Sequence, residues 1–376
     1  MRDMQDVGPI ALSNPWFGVG GLERVYIAIT AVKSNARIIT MKNFHDRDTF
    51  SYYFGSHRKF PPIFDTGVLG DPASGRIYRQ MARAIQLYFN KYPKQHHAHV
   101  TNHWGIFHDS IPRADINMMY FQPGVQEMEQ VIKDDHQLER YRDALHRFTV
   151  VSNSKFMQGM VLENFGHESK VLYPCTDTEY FTAGPKDDGT LTPVQDKNHD
   201  LMIFSRLHPG KRFNQAISLF KDISTAIPDS RFLVAGAIRD EDRAFLETLQ
   251  AIAVKHRVAK KITFFPNPSI EQLRALYDDA KLLVFLPRNE PLGLVAVEAI
   301  CAGTPVVGFN SGGIVETVAQ GITGMKYGNE TELVDGIISL LQSPSRIQAM
   351  RDKKDQPLSK FSEGAFLESL VELMNL

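Results

Sequence analysis

The chain has 376 residues, 43% of them apolar, enough for two to three domains of about 150 residues each with a buried core, which excludes intrinsic disorder, a collagen-like rod and a small disulfide scaffold. Its 42 basic residues nearly cancel the 43 acidic ones, so no net field draws it onto nucleic acid or a membrane, and any charged partner must be met locally. The two cysteines, Cys175 and Cys301, stand far apart without CxxC spacing, which argues against a disulfide framework or a thiolate metal site and fits a reducing, cytoplasmic setting.

Residues 1–14 include Asp3 and Asp6 and no long apolar core, and no later stretch reaches the roughly 18 uninterrupted apolar residues of a membrane span, so a soluble protein is expected. In the first half, strands are predicted at 10–13, 36–41, 98–102, 116–121, 149–152 and 170–173, with helices after Gly21 and around 76–89. The stretch 182–200 (TAGPKDDGTLTPVQDKNHD) has two prolines, two glycines and almost no apolar residue, and reads as a linker. After it the alternation sharpens: β-branched or apolar runs at 201–205, 231–235, 261–265, 281–286 and 304–309 read as strands buried on both faces of a parallel sheet. Helices are predicted between them at 214–227, 240–256, 269–279 and 291–302, the last opened by Pro291 and closed by Gly303. The region 361–374 reads as an amphipathic helix able to cross back to the first domain. The expected architecture is therefore α/β: two doubly wound, Rossmann-like domains facing a central cleft, over 1–181 and 200–355, joined by a linker at 182–199, with 356–376 returning to the first domain. A nucleotide-type ligand belongs at the carboxyl ends of such sheets, at their switch points.

In the segment RNEPLGLVAVEAICAG, Glu290 stands at the helix entrance and Glu298 eight residues on, about 12 Å along a helix axis at 1.5 Å per residue. That span suits the two ends of a nucleotide sugar: one carboxylate for pyranose hydroxyls, the other for the ribose diol. The amides of Leu292 and Gly293, with Leu294 beside them, would face a diphosphate at the positive end of the helix dipole. The alternative is a capped helix with one solvated glutamate. In FSRLHPGK, Arg206 and Lys211 leave a strand end together, where two cations can neutralise a departing diphosphate, although a basic pair in a loop is also an ordinary solvated edge. In FGVGGLER, Gly18, Gly20 and Gly21 let a backbone approach a phosphate or sugar; the segment is neither GxGxxG nor a Walker loop, and a plain tight turn explains it equally well.

Five of the 13 histidines fall between His96 and His108, but without HExxH-like spacing a structural role outweighs a zinc site, and His103 is the one placed in the cleft. The stretch 74–94 carries Arg76, Arg79, Arg83, Lys91 and Lys94 with no acid and an apolar stripe at helical spacing. Two readings stand: peripheral contact with an anionic membrane, or a helix packed on the sheet with its cations in water.

Taken together, GVGGLER, SRLHPGK, the E-x7-E pair Glu290 and Glu298, the closing helix, VVSNSKF (150–156), LYPCTDTEYF (172–181) and SGGIVETV (311–318) resemble the retaining GT-B glycosyltransferases of the GT4 type, the glycosyl transferases group 1. The resemblance covers nearly the whole chain. It implies a GT-B fold with the acceptor side in the first domain and the nucleotide-sugar donor in the second. It implies transfer of a sugar from a UDP- or GDP-linked donor to a hydroxyl of a glycan, lipid-linked or small-molecule acceptor, with retention, no metal and no cofactor. By the same resemblance Glu290 contacts the donor sugar, Glu298 the ribose, Arg206 and Lys211 the diphosphate, and Gly18, Gly20 and Gly21 the phosphate side of the cleft. Many relatives place a histidine at the end of the strand 116–121, where this chain has Gln122; an amide hydrogen-bonds a hydroxyl but shuttles no proton near pH 7, so either Gln122 or His103 takes the histidine's role or this chain works without it. The competing readings are a nucleotide-sugar epimerase or phosphorylase of the same shape, and a catalytically inactive nucleotide-sugar-binding scaffold, which would be expected to lack Glu290, Arg206 or Lys211.

Overall fold

The structure, a computed structural model, describes residues 8–17, 21–67, 77–93, 95–102, 114–121, 135–185, 190–238, 243–353 and 358–374. The chain divides into two units, Met1–Thr176 with Glu363–Leu376, and Asp177–Ser362.

The first unit contains strands β1 (Ile10–Ser13), β2 (Trp16–Phe17), β3 (Arg37–Thr40), β4 (Lys42–Asn43), β5 (Ile63–Asp65), β6 (His96–Asn102), β7 (Ala114–Phe121), β8 (Thr149–Ser152) and β9 (Lys170–Val171). Seven of them form one parallel sheet in the order β5-β3-β1-β6-β7-β8-β9, and β2 pairs with β4 beside it. The order reverses between β1 and β6, as in a doubly wound sheet. Ile10, Leu12, Val100 and Met118 are buried in this sheet's core, where consecutive apolar residues cover both faces. The helix Lys155–Phe165 starts where Ser154 accepts a hydrogen bond from the Met157 amide at 3.0 Å and ends at left-handed Gly166. The closing helix Glu363–Leu373 buries Phe366, Leu367 and Leu370 in this same core, and Glu363 pairs with Arg58. The return of the chain to the first unit thus rests on apolar burial.

The basic helix, Ile77–Lys91, turns its apolar stripe inward. Met81, Ala84 and Ile85 pack with Met41, and Tyr88 packs with Ala11 and Ile39. That face is therefore taken by the sheet, and the amphipathic periodicity has a packing explanation. The described histidines of the 96–108 run are also structural. His96 Nε2 lies 3.1 Å from the Tyr88 hydroxyl, His99 Nε2 lies 2.9 Å from the Ser13 hydroxyl, and His97 faces Asp115 at 3.5 Å.

The second unit contains β10 (His199–Arg206), β11 (Phe232–Ala237), β12 (Ile262–Pro266), β13 (Ala280–Phe285), β14 (Val306–Phe309) and β15 (Gly324–Tyr327), all parallel, in the order β12-β11-β10-β13-β14-β15. Numbered within the unit this is 3-2-1-4-5-6, the order of dinucleotide-binding sheets, with its switch point between β10 and β13. Helices Phe213–Ala226, Arg243–Lys255 and Ile270–Asp279 connect the first four strands. The last of these opens with a capping box in which Ser269 and Gln272 satisfy each other's backbone amides. Helices Glu330–Leu341 and Pro344–Arg351 follow β15.

The stretch predicted as a linker is partly a built piece of this unit. Val194 is buried, and the Thr192 amide and hydroxyl donate to the Asp278 carboxylate at 3.0 and 2.7 Å. Lys197 Nζ donates to the Asp278 and Ala280 carbonyls at 2.6 and 3.0 Å, and Arg351 binds both the Thr192 carbonyl and Asp278. A polar composition suggested solvation; the polar groups instead have partners at the amino end of β13. Burial, reinforced by the Arg351 charge, lowers the Lys197 ammonium to about 8. Among the described residues no helix is long and apolar enough to cross a membrane.

Candidate active site

The switch point of the second sheet gathers three loops. β10 ends at Arg206, whose exposed side chain makes no ion pair among the described residues. The chain then buries Leu207, turns through the short helix Pro209–Lys211, and enters the helix Phe213–Ala226 from left-handed Arg212. The His208 ring accepts the Gly210 amide at 3.2 Å and closes the turn. Lys211 is thereby fixed at the carboxyl edge of β10.

From the neighbouring strand β13, Leu286 enters the core and the chain passes through left-handed Asn289 to Glu290, Pro291, Leu292 and Gly293. Lys211 Nζ donates to Glu290 Oε1 at 2.6 Å, with the two side chains 19% and 25% exposed. This bond joins residues 79 apart in sequence across the β10–β13 boundary. It is short and charge-assisted, and its partial burial weakens solvent screening.

The third loop, after β14, holds Glu290 from behind. The Gly313 amide donates to the Glu290 carbonyl at 2.8 Å, and Ser311 Oγ accepts the Asn289 amide at 3.2 Å while donating to Asn289 Oδ1 at 2.7 Å. A Cβ on Gly313 would lie 2.3 Å from the Leu292 Cα, which explains the glycine in SGGIVETV: only a bare backbone lets the loops meet. At Gly293, φ is +89° and a Cβ would lie 2.9 Å from the Phe285 ring, so both conformation and space demand glycine there. The Arg288 guanidinium stacks over Phe309, its carbon 4.0 Å from the ring centroid.

The helix predicted from Pro291 begins three residues later, at Leu294, with Gly293 as its left-handed N-cap. Pro291 and Leu292 belong to the loop because Asn289 and Gly293 both break helical dihedrals. The first-turn amides are accordingly those of Leu294 and Val295 rather than of Leu292 and Gly293. Gly303, at φ +79°, follows the helix end as expected. Glu298 lies within this helix, 2% exposed, and accepts the Tyr277 hydroxyl on Oε2 at 3.2 Å.

Of the sequence-predicted residues, the structure brings Lys211 and Glu290 into direct contact and sets Arg206, Leu292, Gly293, Leu294 and Glu298 on the same strand ends and helix. Gly21 opens the helix Gly21–Val32 of the first unit, while Gly18, Gly20, His103 and Gln122 lie outside the described residues. Sequence reasoning missed Asn14 and Asn102. They follow and end β1 and β6 at the first unit's switch point, where Asn102 donates to Asn14 at 2.9 Å and Asn14 donates to Glu23 at 3.3 Å. Their position after a strand was the available signal. Tyr277 was also missed, since nothing in the sequence pairs it with a residue 21 positions away.

Residues 192–356, which carry this geometry, match the family model described as glycosyl transferases group 1. Over 167 residues the chain is 33% identical to D-inositol 3-phosphate glycosyltransferase of Mycobacterium sp. (strain KMS), covering 44% of this chain and 36% of that protein. It is 26% identical over 258 residues to the alpha-1,3/1,6-mannosyltransferase ALG2 of Rhizomucor pusillus, covering 60% and 57%. The chain thus matches about a third to a little over half the length of these curated relatives. In fold it is similar to sucrose-phosphate synthase from Thermosynechococcus elongatus, with TM-score 0.78, 18% identity and 98% of each chain covered. It is equally similar to Anabaena HepE in complex with UDP and glucose, at TM-score 0.78, 16% identity and 98% and 99% coverage. The lipopolysaccharide glycosyltransferase WaaG aligns at TM-score 0.71 and 15% identity over 95% and 98%. The fold is therefore GT-B, and the similarity to the group 1 family model falls within the second unit.

Proposed function

We propose that this chain is a retaining, metal-independent glycosyltransferase that moves a sugar from a UDP- or GDP-sugar to a hydroxyl acceptor. The observation that carries the reading is the Lys211–Glu290 bond across the switch point of a 3-2-1-4-5-6 sheet, inside the residues that match the family. The UDP and glucose of HepE support a UDP-linked donor for that relative, and by extension here.

Lys211, Arg206 and the Leu294 amide bind the donor diphosphate, supplying two charges and a helix-end dipole where negative charge grows. Glu290 accepts hydrogen bonds from donor-sugar hydroxyls, and Glu298 from the ribose diol. The acceptor oxygen forms its bond to the anomeric carbon as the bond from that carbon to the phosphoryl oxygen breaks. The electron pair leaves with the nucleoside diphosphate, whose oxygen takes the acceptor's proton. No side chain forms a covalent bond, so catalysis is positioning plus charge stabilisation. His103 or Gln122 would face the reacting sugar in this reading.

Glu290, Arg206 and Lys211 are all present, which favours an enzyme over an inactive nucleotide-sugar scaffold. An epimerase would consume nucleotide sugar without an acceptor. The test is nucleoside diphosphate release on mixing chain, donor and a glycan, lipid-linked or small-molecule acceptor, with the product's anomeric configuration read by NMR. Acceptor-dependent release with retention is expected; inversion, or consumption without acceptor, overturns the reading.

We also propose contact of the 74–94 segment with an anionic membrane, through cations alone. The described apolar stripe is packed on the sheet, while Arg83 and Lys91 are exposed. Binding to phosphatidylserine-containing liposomes should then be lost as salt rises from 0.05 to 0.5 M, on the scale of the shrinking Debye length of about 10 Å at 0.1 M. Salt-independent binding would contradict it.

A further inference from the structure

We infer that Tyr277 is a positioning residue for Glu298, setting that carboxylate toward the ribose of the bound nucleotide. The inference rests on the ribose role proposed for Glu298 and deepens it. A carboxylate in a residue only 2% exposed keeps one orientation only if donors hold its oxygens, and the Tyr277 hydroxyl donates to Oε2 at 3.2 Å. Tyr277 is itself fixed from several sides. Its ring is fully buried, with the Phe181 ring at 5.9 Å and the Phe204 ring at 6.1 Å, both nearly edge-on. Its carbonyl accepts the Thr304 hydroxyl, just past the end of the helix that carries Glu298. The phenol is therefore a stationary donor against a helix side chain. A carboxylate offers about four lone-pair sites, so one carboxylate can accept from a tyrosine hydroxyl and from a ribose diol at the same time. The arrangement makes the nucleotide sugar's 2′-hydroxyl a specificity group: a site whose acceptor is fixed rejects the analogue that lacks the hydroxyl.

The test compares the dissociation constant of UDP or GDP, whichever binds the chain more tightly, with that of its 2′-deoxy counterpart. For the parent chain the ribonucleotide is expected to bind about tenfold or more tightly, the factor carried by about 1.4 kcal/mol. Tyr277→Phe removes one oxygen and keeps the ring, and it should bring the two constants to within about threefold. Loss of packing alone would weaken both nucleotides together and leave their ratio unchanged. Tyr277→Met, which lacks the hydroxyl but fills an irregular core, gives the same reading should the phenylalanine variant fold poorly. Glu298→Gln serves as the reference. If it collapses the ratio while both Tyr277 variants retain the parental value, the positioning role is overturned and the ribose role of Glu298 stands. If Glu298→Gln also retains the parental ratio, the ribose role falls and this inference with it.

Discussion

Replacing Lys211 by methionine removes the charge and keeps most of the length of the side chain, and the site geometry sets the expected loss. The ammonium sits 2.6 Å from Glu290, at a fifth to a quarter exposure, where an effective dielectric of about 20 is appropriate. A cation about 4 Å from a phosphoryl oxygen then contributes about 4 kcal/mol toward a full charge developing there. Only the part that grows between bound donor and transition state speeds the reaction, so kcat should fall about 10²- to 10³-fold. The pair is too exposed to stabilise the fold by more than about 1 kcal/mol, so Tm should shift by no more than about 2–4 °C. Because Lys211 and Glu290 touch, their effects should not multiply. The double variant Lys211→Met/Glu290→Gln should lose about tenfold less than the product of the single losses, since neutralising Glu290 removes a carboxylate that otherwise repels the diphosphate. The assay is acceptor-dependent release of nucleoside diphosphate, with Tm measured in parallel. A Lys211→Met chain within about threefold of the parent, or strict multiplicativity in the double variant, would refute the reasoning.

Two further predictions concern the frame around the site. Asp278→Asn strips the buried carboxylate that pairs with Arg351 and accepts from Thr192, leaving the Arg351 guanidinium without its anion; a loss of about 3–5 kcal/mol is expected in urea unfolding, and a change below about 1 kcal/mol would contradict the stitched role of residues 192–197. Burial, with some help from the Glu363 charge, raises the Cys175 thiol far above its ordinary value, so it stays protonated in the folded chain. Its contribution to stability is full below the ordinary thiol range near pH 8.5 and declines as pH rises, because the unfolded chain then releases a proton that the folded chain keeps. Iodoacetamide at pH 9 should therefore alkylate Cys175 only in denaturant, and rapid labelling of the native chain would be the contrary result.

The second sheet was legible because its central strands carry consecutive buried apolar residues, as in the Leu201, Met202 and Ile203 run, flanked by amphipathic helices. β15 was not, because its GMKY sequence is half-buried at a sheet edge and offers neither an apolar run nor alternation. The two helices after it were likewise unread. The start of the Leu294 helix was misplaced because proline at a first helical position is a local rule, whereas Asn289 and Gly293 adopt left-handed dihedrals demanded by the packing of the 310–313 loop. The 190–200 segment looked like a linker because sequence shows polarity but not the partners that satisfy it, here Asp278, Ala280 and Arg351. Lys211 and Glu290 were readable as strand-end residues, and their direct bond was not, since sequence positions each after its own strand but gives no strand order. Tyr277 and the Asn14–Asn102 pair stayed hidden for the same reason.

The most direct measurement is a crystal structure of the chain with bound UDP or GDP. The account predicts the diphosphate within hydrogen-bonding distance of Lys211 Nζ, the Arg206 guanidinium and the Leu294 amide, with the ribose hydroxyls on Glu298. A nucleotide lodged away from the β10–β13 switch point, touching none of these groups, would contradict it.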